Sequence, residues 1–153
     1  MKFRLVPMNE GHARAIASWH YEGIYAFYDM DQDQDDMEEL LDPSNWREIY
    51  RAVLNELNEL VGFFSFEKEN DGLSIGCGLR PDYTGKGLGK AFIETGLGYA
   101  KRRYAPEEFR LSVATFNRRA IAVYEKAGFE RGEVFVNETN GGQFEFLRMS
   151  RKA

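Results

Sequence analysis

The chain has 153 residues and a mass of 17.7 kDa, enough for one ordinary domain that buries a core without a disulfide or metal staple. Hydrophobic residues at 43%, aromatics at 14% and charges at 29% exclude a disordered chain. The net charge of −5 hides a division: residues 1–76 hold 6 Lys/Arg against 16 Asp/Glu, and residues 77–153 hold 14 against 9.

One cysteine, Cys77, leaves no partner for an internal disulfide. No apolar run approaches the ~20 residues that span a bilayer, so no membrane partner is expected. Met1–Pro7 has no apolar core of the kind a secretion signal carries, and a cytoplasmic location is expected. The acidic balance and the lack of a helix-turn-helix, zinc-finger or basic-stripe pattern argue against nucleic acid.

In chain order, Lys2–Met8 reads as a short strand. Gly11–Tyr28 places Ala13, Ile16, Ala17, His20, Ile24 and Phe27 at helical spacings, which predicts one helix with an aromatic end. Met37–Leu41 is a short acidic helix closed by Asp42-Pro43. Ile49–Leu54 and Leu60–Glu67 are predicted strands, and Asn70-Asp71-Gly72 predicts a hairpin with the glycine taking the positive φ. Leu73–Leu79 completes a meander.

From Gly87 the period changes. Leu88, Ala91, Phe92, Thr95 and Tyr99 predict a helix to about Arg103. Phe109–Thr115 follows as a strand. Asn117 suits an N-cap for a helix over Arg118–Ala127, with Gly128 just past its end. Arg131–Asn137 and Gln143–Met149 then pair across Asn140-Gly141-Gly142. No repeat or linker divides the chain, so residues 1–153 are read as a single α+β domain around a largely antiparallel sheet.

Leu79-Arg80-Pro81-Asp82-Tyr83-Thr84-Gly85-Lys86-Gly87-Leu88-Gly89-Lys90 carries the densest chemistry. A strand ends, three alternate glycines follow, and a helix starts within them. Missing side chains let backbone N–H groups approach an anion, and a helix N-terminus adds about half a positive charge. Arg80, Lys86 and Lys90 supply cations, a setting that suits a pyrophosphate. A P-loop would need Ser or Thr where Gly87 stands, and a dinucleotide fingerprint would need Gly where Lys90 stands.

Downstream, Leu111-Ser112-Val113-Ala114-Thr115-Phe116-Asn117-Arg118-Arg119-Ala120 runs on through Tyr124 to Gly128-Phe129. A strand, then Asn, Ala three residues on, Tyr four later and a closing Gly-Phe resembles the GNAT superfamily of acetyl-CoA-dependent N-acetyltransferases. The glycine loop resembles that family's phosphate-binding motif at the expected distance upstream. The resemblance is specific from about Leu73 to Phe129.

It implies a mixed, mostly antiparallel sheet of six to seven strands, flanked by about four helices. A splayed strand pair would form the acetyl-CoA cleft. By the same resemblance, the Leu79 backbone would contact the pantetheine and point an N–H at the thioester oxygen. The segment Thr84, Gly85, Lys86, Gly87, Leu88, Gly89 and Lys90 would hold the pyrophosphate. Asn117 would hydrogen-bond the pantetheine, and Tyr124 would protonate the departing thiolate. Thr84 stands where the family usually has Gln or Arg, so one side-chain phosphate contact is expected to be missing. Ser112 stands where relatives that acetylate protein N-termini often carry Glu.

The reaction so implied is direct attack of an amine on the thioester. An alkylammonium of pKa ~10.4 must first lose a proton, at about 4.6 kcal/mol at pH 7. Glu67 is the candidate general base, since carboxylates near that strand end serve so in some relatives. Trp19-His20-Tyr21, Tyr25, Phe27 and Tyr28 run into Asp29–Glu39, where seven of eleven residues are acidic. Aromatic faces beside carboxylates suit a cationic small-molecule amine such as a polyamine or aminoglycoside. A solvated acidic loop over a core aromatic cluster is the plainer reading of the same residues. A protein N-terminal or lysine acetyltransferase and a non-catalytic acyl-CoA-binding module are the alternatives. His12 and His20 form no ligand spacing with Cys77, so no metal is expected. The strand pair at Val134–Met149 could support a homodimer, as in many relatives.

Overall fold

The computed structural model describes residues 1–153. Seven strands form one sheet: β1 (Arg4–Pro7), β2 (Tyr50–Leu54), β3 (Leu60–Glu69), β4 (Gly72–Leu79), β5 (Glu108–Ala114), β6 (Glu130–Thr139) and β7 (Gly142–Lys152). Their order across the sheet is β1-β2-β3-β4-β5-β7-β6. Every pairing is antiparallel except β4 with β5. Four α-helices accompany the sheet: α1 (Glu10–Ala17), α2 (Gln34–Leu41), α3 (Gly89–Tyr104) and α4 (Arg118–Lys126).

Strand alternation sends side chains to two cores. Val53, Phe64, Phe66, Leu73 and Ile75 join Phe92, Ile93 and Leu97 of α3 and Ile121 of α4 in the larger one. Tyr50, Ala52 and Phe63 point the other way, against Ala13 and Ile16 of α1 and Leu40 of α2. Arg51 is buried beneath α3, where its guanidinium donates to the Tyr99 hydroxyl at 2.7 Å and to the carbonyls of Trp46, Arg47 and Tyr50. No helix is long and apolar enough to cross a membrane.

Two local expectations are corrected. The helix predicted over Gly11–Tyr28 ends at Ala17, because the Ser18 N–H and hydroxyl both turn back onto the Ala15 carbonyl. The chain resumes as a 3-10 turn over Gly23–Tyr28 after Gly23, whose φ is +59°. Its aromatic residues therefore face several partners instead of one helical stripe. At the Asn70-Asp71-Gly72 hairpin the positive φ of 54° falls on Asn70, not on the glycine. Gly72 makes room: a Cβ there would lie 2.4 Å from Nη1 of Arg110, whose guanidinium binds Asp71 and the Glu69 carbonyl.

Candidate active site

The parallel β4–β5 pairing covers only Gly72–Ser74 against Glu108–Arg110. Beyond Ser74, β4 continues with β3 alone, while β5 continues with β7 alone. The two central strands thus part, and a wedge opens between Ile75–Leu79 and Leu111–Ala114. The hydrogen-bond pattern dictates what faces it. The Arg80 N–H donates to the Val61 carbonyl at 2.7 Å, so the facing pair Leu79–Gly62 is of the non-hydrogen-bonded kind. Both backbone polar groups of Leu79 therefore point away from β3, into the wedge. Cys77, two residues earlier, has the same orientation. The Leu79 carbonyl accepts the Tyr21 hydroxyl at 2.8 Å. The Leu79 N–H lies on the same side, free for an incoming acceptor.

At the mouth of the wedge stands the glycine loop. Gly85 and Gly87 have φ of +70° and +76°, a region side-chain-bearing residues rarely enter. Gly89 is needed for closeness: a Cβ there would meet Val123 of α4 at 3.0 Å. Leu88 caps α3 without a side-chain bond, and its first turn has no acidic residue. The N–H groups of Gly89, Lys90 and Ala91 are thus left without an intrahelical acceptor.

The cations expected here divide. Arg80 is held by Asp82 at 2.7 Å and Lys90 leans toward Glu94 at 3.9 Å, whereas Lys86 makes no close ion pair and acts on Asp82 only from a distance. Thr84 donates its hydroxyl to the Pro81 carbonyl at 2.7 Å, so its proton is spent locally. Arg119 brings a cation that neither sequence motif singles out. Its guanidinium lies 4.1 Å over the Tyr25 ring, and Nη1 is 3.3 Å from where a Cβ on Gly85 would be.

Asn117 is buried and caps α4, its Oδ1 accepting the Ala120 N–H at 3.0 Å. That helix carries Tyr124 to the wedge, where its hydroxyl lies 3.5 Å from Cys77 Sγ. Burial and the neighbouring thiol hold the phenol well above its usual pKa. Burial likewise pushes the Cys77 thiol up to about 11. Leu79, Asn117, Tyr124 and the Thr84–Lys90 loop are thus brought together.

Glu67 is not. It pairs with Ser74, five residues and about 17 Å along β4 from the level of Leu79. It sits instead near Glu39 of α2 on the α1–α2 side, close enough to raise that carboxyl's pKa. Ser112 is exposed on β5 opposite Arg148.

The aromatic–acidic segment is tied across the site. Phe27 packs against Phe116, Phe144 and Phe146, and its carbonyl accepts Asn140 Nδ2 at 2.7 Å. Asp33 caps α2 and also accepts the Thr139 hydroxyl at 2.9 Å and the Asn140 N–H at 3.1 Å. Buried Asp29 accepts the Tyr21 N–H at 2.8 Å. His20 and Asp31 meet at 3.1 Å, and with Asp29 they keep their ligating atoms within 4.8 Å, an arrangement that sequence spacing did not reveal. Asp36 is pushed up to about 6, chiefly by burial and then by Asp33, Glu39 and Asp35. Tyr21, Tyr28, Asp29 and Arg119 join the site only through tertiary contacts with Leu79, Ala114 and Gly85. No local motif marks them.

An open wedge, a glycine loop at a bare helix N-terminus and a tyrosine facing the gap are features that an acyl-transfer fold brings together. The profile described as the Acetyltransferase (GNAT) family matches residues 13–129, and the chain belongs to that family. Mycothiol acetyltransferases align over part of it: that of Salinispora arenicola is 40% identical over 60 residues, and that of Saccharomonospora viridis 44% over 64. These alignments take in 39% and 42% of this chain and only 20% and 21% of those proteins. Among solved structures, the spermidine N-acetyltransferase of Vibrio cholerae in complex with CoA and spermine superposes with a TM-score of 0.77 at 22% identity, covering 98% of this chain and 95% of that one. A GNAT-family acetyltransferase from Bacillus anthracis gives 0.77 at 16% identity, with 99% and 95% covered. At these identities the likeness is one of fold.

Proposed function

We propose that the chain is an acetyl-CoA-dependent N-acetyltransferase that acts on a primary amine of a cationic small molecule, polyamine-like in charge. The observation that carries this reading is the β4–β5 wedge, with the Leu79 N–H turned into it and the Tyr124 hydroxyl on its wall. The residues present fit acetyl-CoA. The amides of Gly85–Lys90, with Lys86 and Arg119, form a cradle for the pyrophosphate, and the Arg119 guanidinium offers the side-chain donor that Thr84 does not. Asn117 retains its Nδ2 donor for the pantetheine while its Oδ1 caps the helix.

In the reaction, the amine lone pair forms the N–C bond at the thioester carbonyl carbon, and the C–S bond breaks. The oxyanion is met by the Leu79 N–H. Sulfur takes the Tyr124 proton, and the proton lost by the amine returns to the phenolate through water, leaving an amide and free CoA. Glu67 is too distant to touch the reacting atoms, so a base role for it would have to run through water. Asp29 and the His20–Asp31 pair lie one tyrosine side chain from Leu79 and are nearer stations for that proton.

A cationic acceptor is favoured by the acidic segment. Asp36 is raised chiefly by burial and then by Asp33, Glu39 and Asp35, with no basic residue among the causes, and an ammonium group would relieve the like-charge part. The Vibrio cholerae neighbour, whose complex contains spermine, supports the same class. The test is CoA release from acetyl-CoA against polyamines, aminoglycosides, amino acids and lysine peptides. Turnover confined to polycations supports the reading. Turnover only with peptides moves it to protein acetylation, and saturable acetyl-CoA binding without turnover to a binding module.

A further inference from the structure

The Tyr28 hydroxyl is sealed from solvent and has no hydrogen-bond partner. Buried polar atoms are nearly always paired, and leaving a hydroxyl unpaired costs as much as a missing hydrogen bond. The obvious partners are close but do not serve. The Asn117 side chain and the Ala114 backbone are near the phenol oxygen. Both act to lower the phenol's pKa, so they face its oxygen as N–H donors and offer its proton no acceptor. Cys77 lies on the other side, and charge on Tyr28 would raise the pKa of Tyr124. The hydroxyl thus sits between the parted strands, among the groups that line the wedge from both sides.

Its ring is held firmly while its oxygen is not. Phe27 meets Tyr28 edge-on at 5.2 Å between centroids, and Phe116 packs at 6.1 Å. Phe27 is in turn anchored by Phe144 and Asn140. Burial raises the phenol's pKa, so it keeps its proton at neutral pH and remains a donor. A fixed ring holding an unmet donor beneath the cleft wall is a preorganised contact for an acceptor that reaches it. The oxygen is enclosed in the free protein, so the side chains around it must part as an acceptor enters between β4 and β5.

We propose that the Tyr28 hydroxyl is an acetyl-CoA contact, donating to a carbonyl oxygen of the acyl-pantetheine arm. This rests on the acetyltransferase reading and adds to it a residue from the acceptor-side segment, outside both sequence motifs. Cofactor entry then satisfies a donor that the free protein leaves unpaired, and it joins the 3-10 turn to the arm.

The experiment compares Tyr28→Phe with the wild type in two measurements, acetyl-CoA affinity by titration calorimetry and thermal midpoint without ligand. The expected result is an acetyl-CoA Kd about tenfold higher, with a ligand-free midpoint equal to or above that of the wild type. A purely structural hydroxyl moves the other way: its removal lowers the midpoint and leaves affinity within twofold, and that result overturns the inference. Retained affinity with an unchanged midpoint overturns it too. A wild type that does not bind acetyl-CoA removes the acetyltransferase reading itself, and this inference with it. Wild-type binding matched by Tyr28→Phe removes the inference alone.

Discussion

Replacing Tyr124 by Phe deletes one oxygen whose one hydrogen-bond contact is Cys77 Sγ at 3.5 Å. So long a contact to a weakly polar sulfur contributes little, and the T-shaped packing on Phe129 at 5.9 Å is kept, so stability should change by less than about 0.5 kcal/mol. The kinetic effect should be far larger. A phenol held well above its usual pKa is a poor acid toward a thiolate in water. Cys77 reports what the same surroundings do to a thiol, raising it to about 11. The same burial should make a CoA thiolate released beside it more basic than in water, which favours its taking the phenol's proton.

Loss of a matched general acid lowers the rate by about 10²–10⁴-fold, and a hundredfold fall corresponds to about 2.7 kcal/mol in the barrier. The assay is CoA release followed with a thiol reagent. Cys77 should not interfere. Its thiolate fraction at a given pH is about a hundredfold below that of an ordinary thiol, the gap between about 11 and 9.0. Because Tyr124 stays protonated throughout, the ratio of wild-type to Tyr124→Phe rates should be flat between pH 6 and 9. A rate within threefold of wild type, from a variant with an unchanged thermal midpoint, would refute the acid role.

Arg119→Gln should raise the KM for acetyl-CoA about tenfold with kcat little changed, and the effect should shrink as salt is added. An unchanged KM would leave the cradle to the backbone and Lys86. Glu67→Gln should leave kcat within threefold, given about 17 Å of strand between it and the level of Leu79; a tenfold loss would restore it as the base by way of water. Asp36→Asn should stabilise the fold at pH 8 by about 1 kcal/mol, after discounting for a carboxylate that its neighbours crowd but solvent still reaches. The folded pKa of about 6 lies above the ordinary value of 3.8, so the ionised form is the disfavoured one. Melting curves should therefore show wild type and variant converging as pH falls from 6 to below 4, and divergence toward acid would contradict the assignment.

Strands β2, β3, β4, β5 and β7, helices α2, α3 and α4 and the Asn117 cap all come from residues close in sequence, where period, turn chemistry and capping act within a few positions. So does the glycine loop, since positive φ at Gly85 and Gly87 is a local demand. The pairing of this loop with the Asn117–Tyr124 helix was legible because both motifs are contiguous and lie a fixed distance apart.

The stretch from Trp19 to Asp33 was not legible in that way. Its aromatic spacing fits a helix, yet its final shape answers to partners far along the chain: Leu79 for Tyr21, Asn140 for Phe27 and Asp33, and the wedge for Tyr28. Glu67 shows the converse, since nearness in sequence to β4 says nothing about which end of the strand a residue will face, and it pairs with Ser74. Local interactions along the chain determined the elements and the glycine loop. Only the tertiary structure decided which side chains meet across the parted strands. Contacts between Tyr21 and Leu79, 58 residues apart, depend on the register of the whole sheet and leave no periodic trace in the sequence.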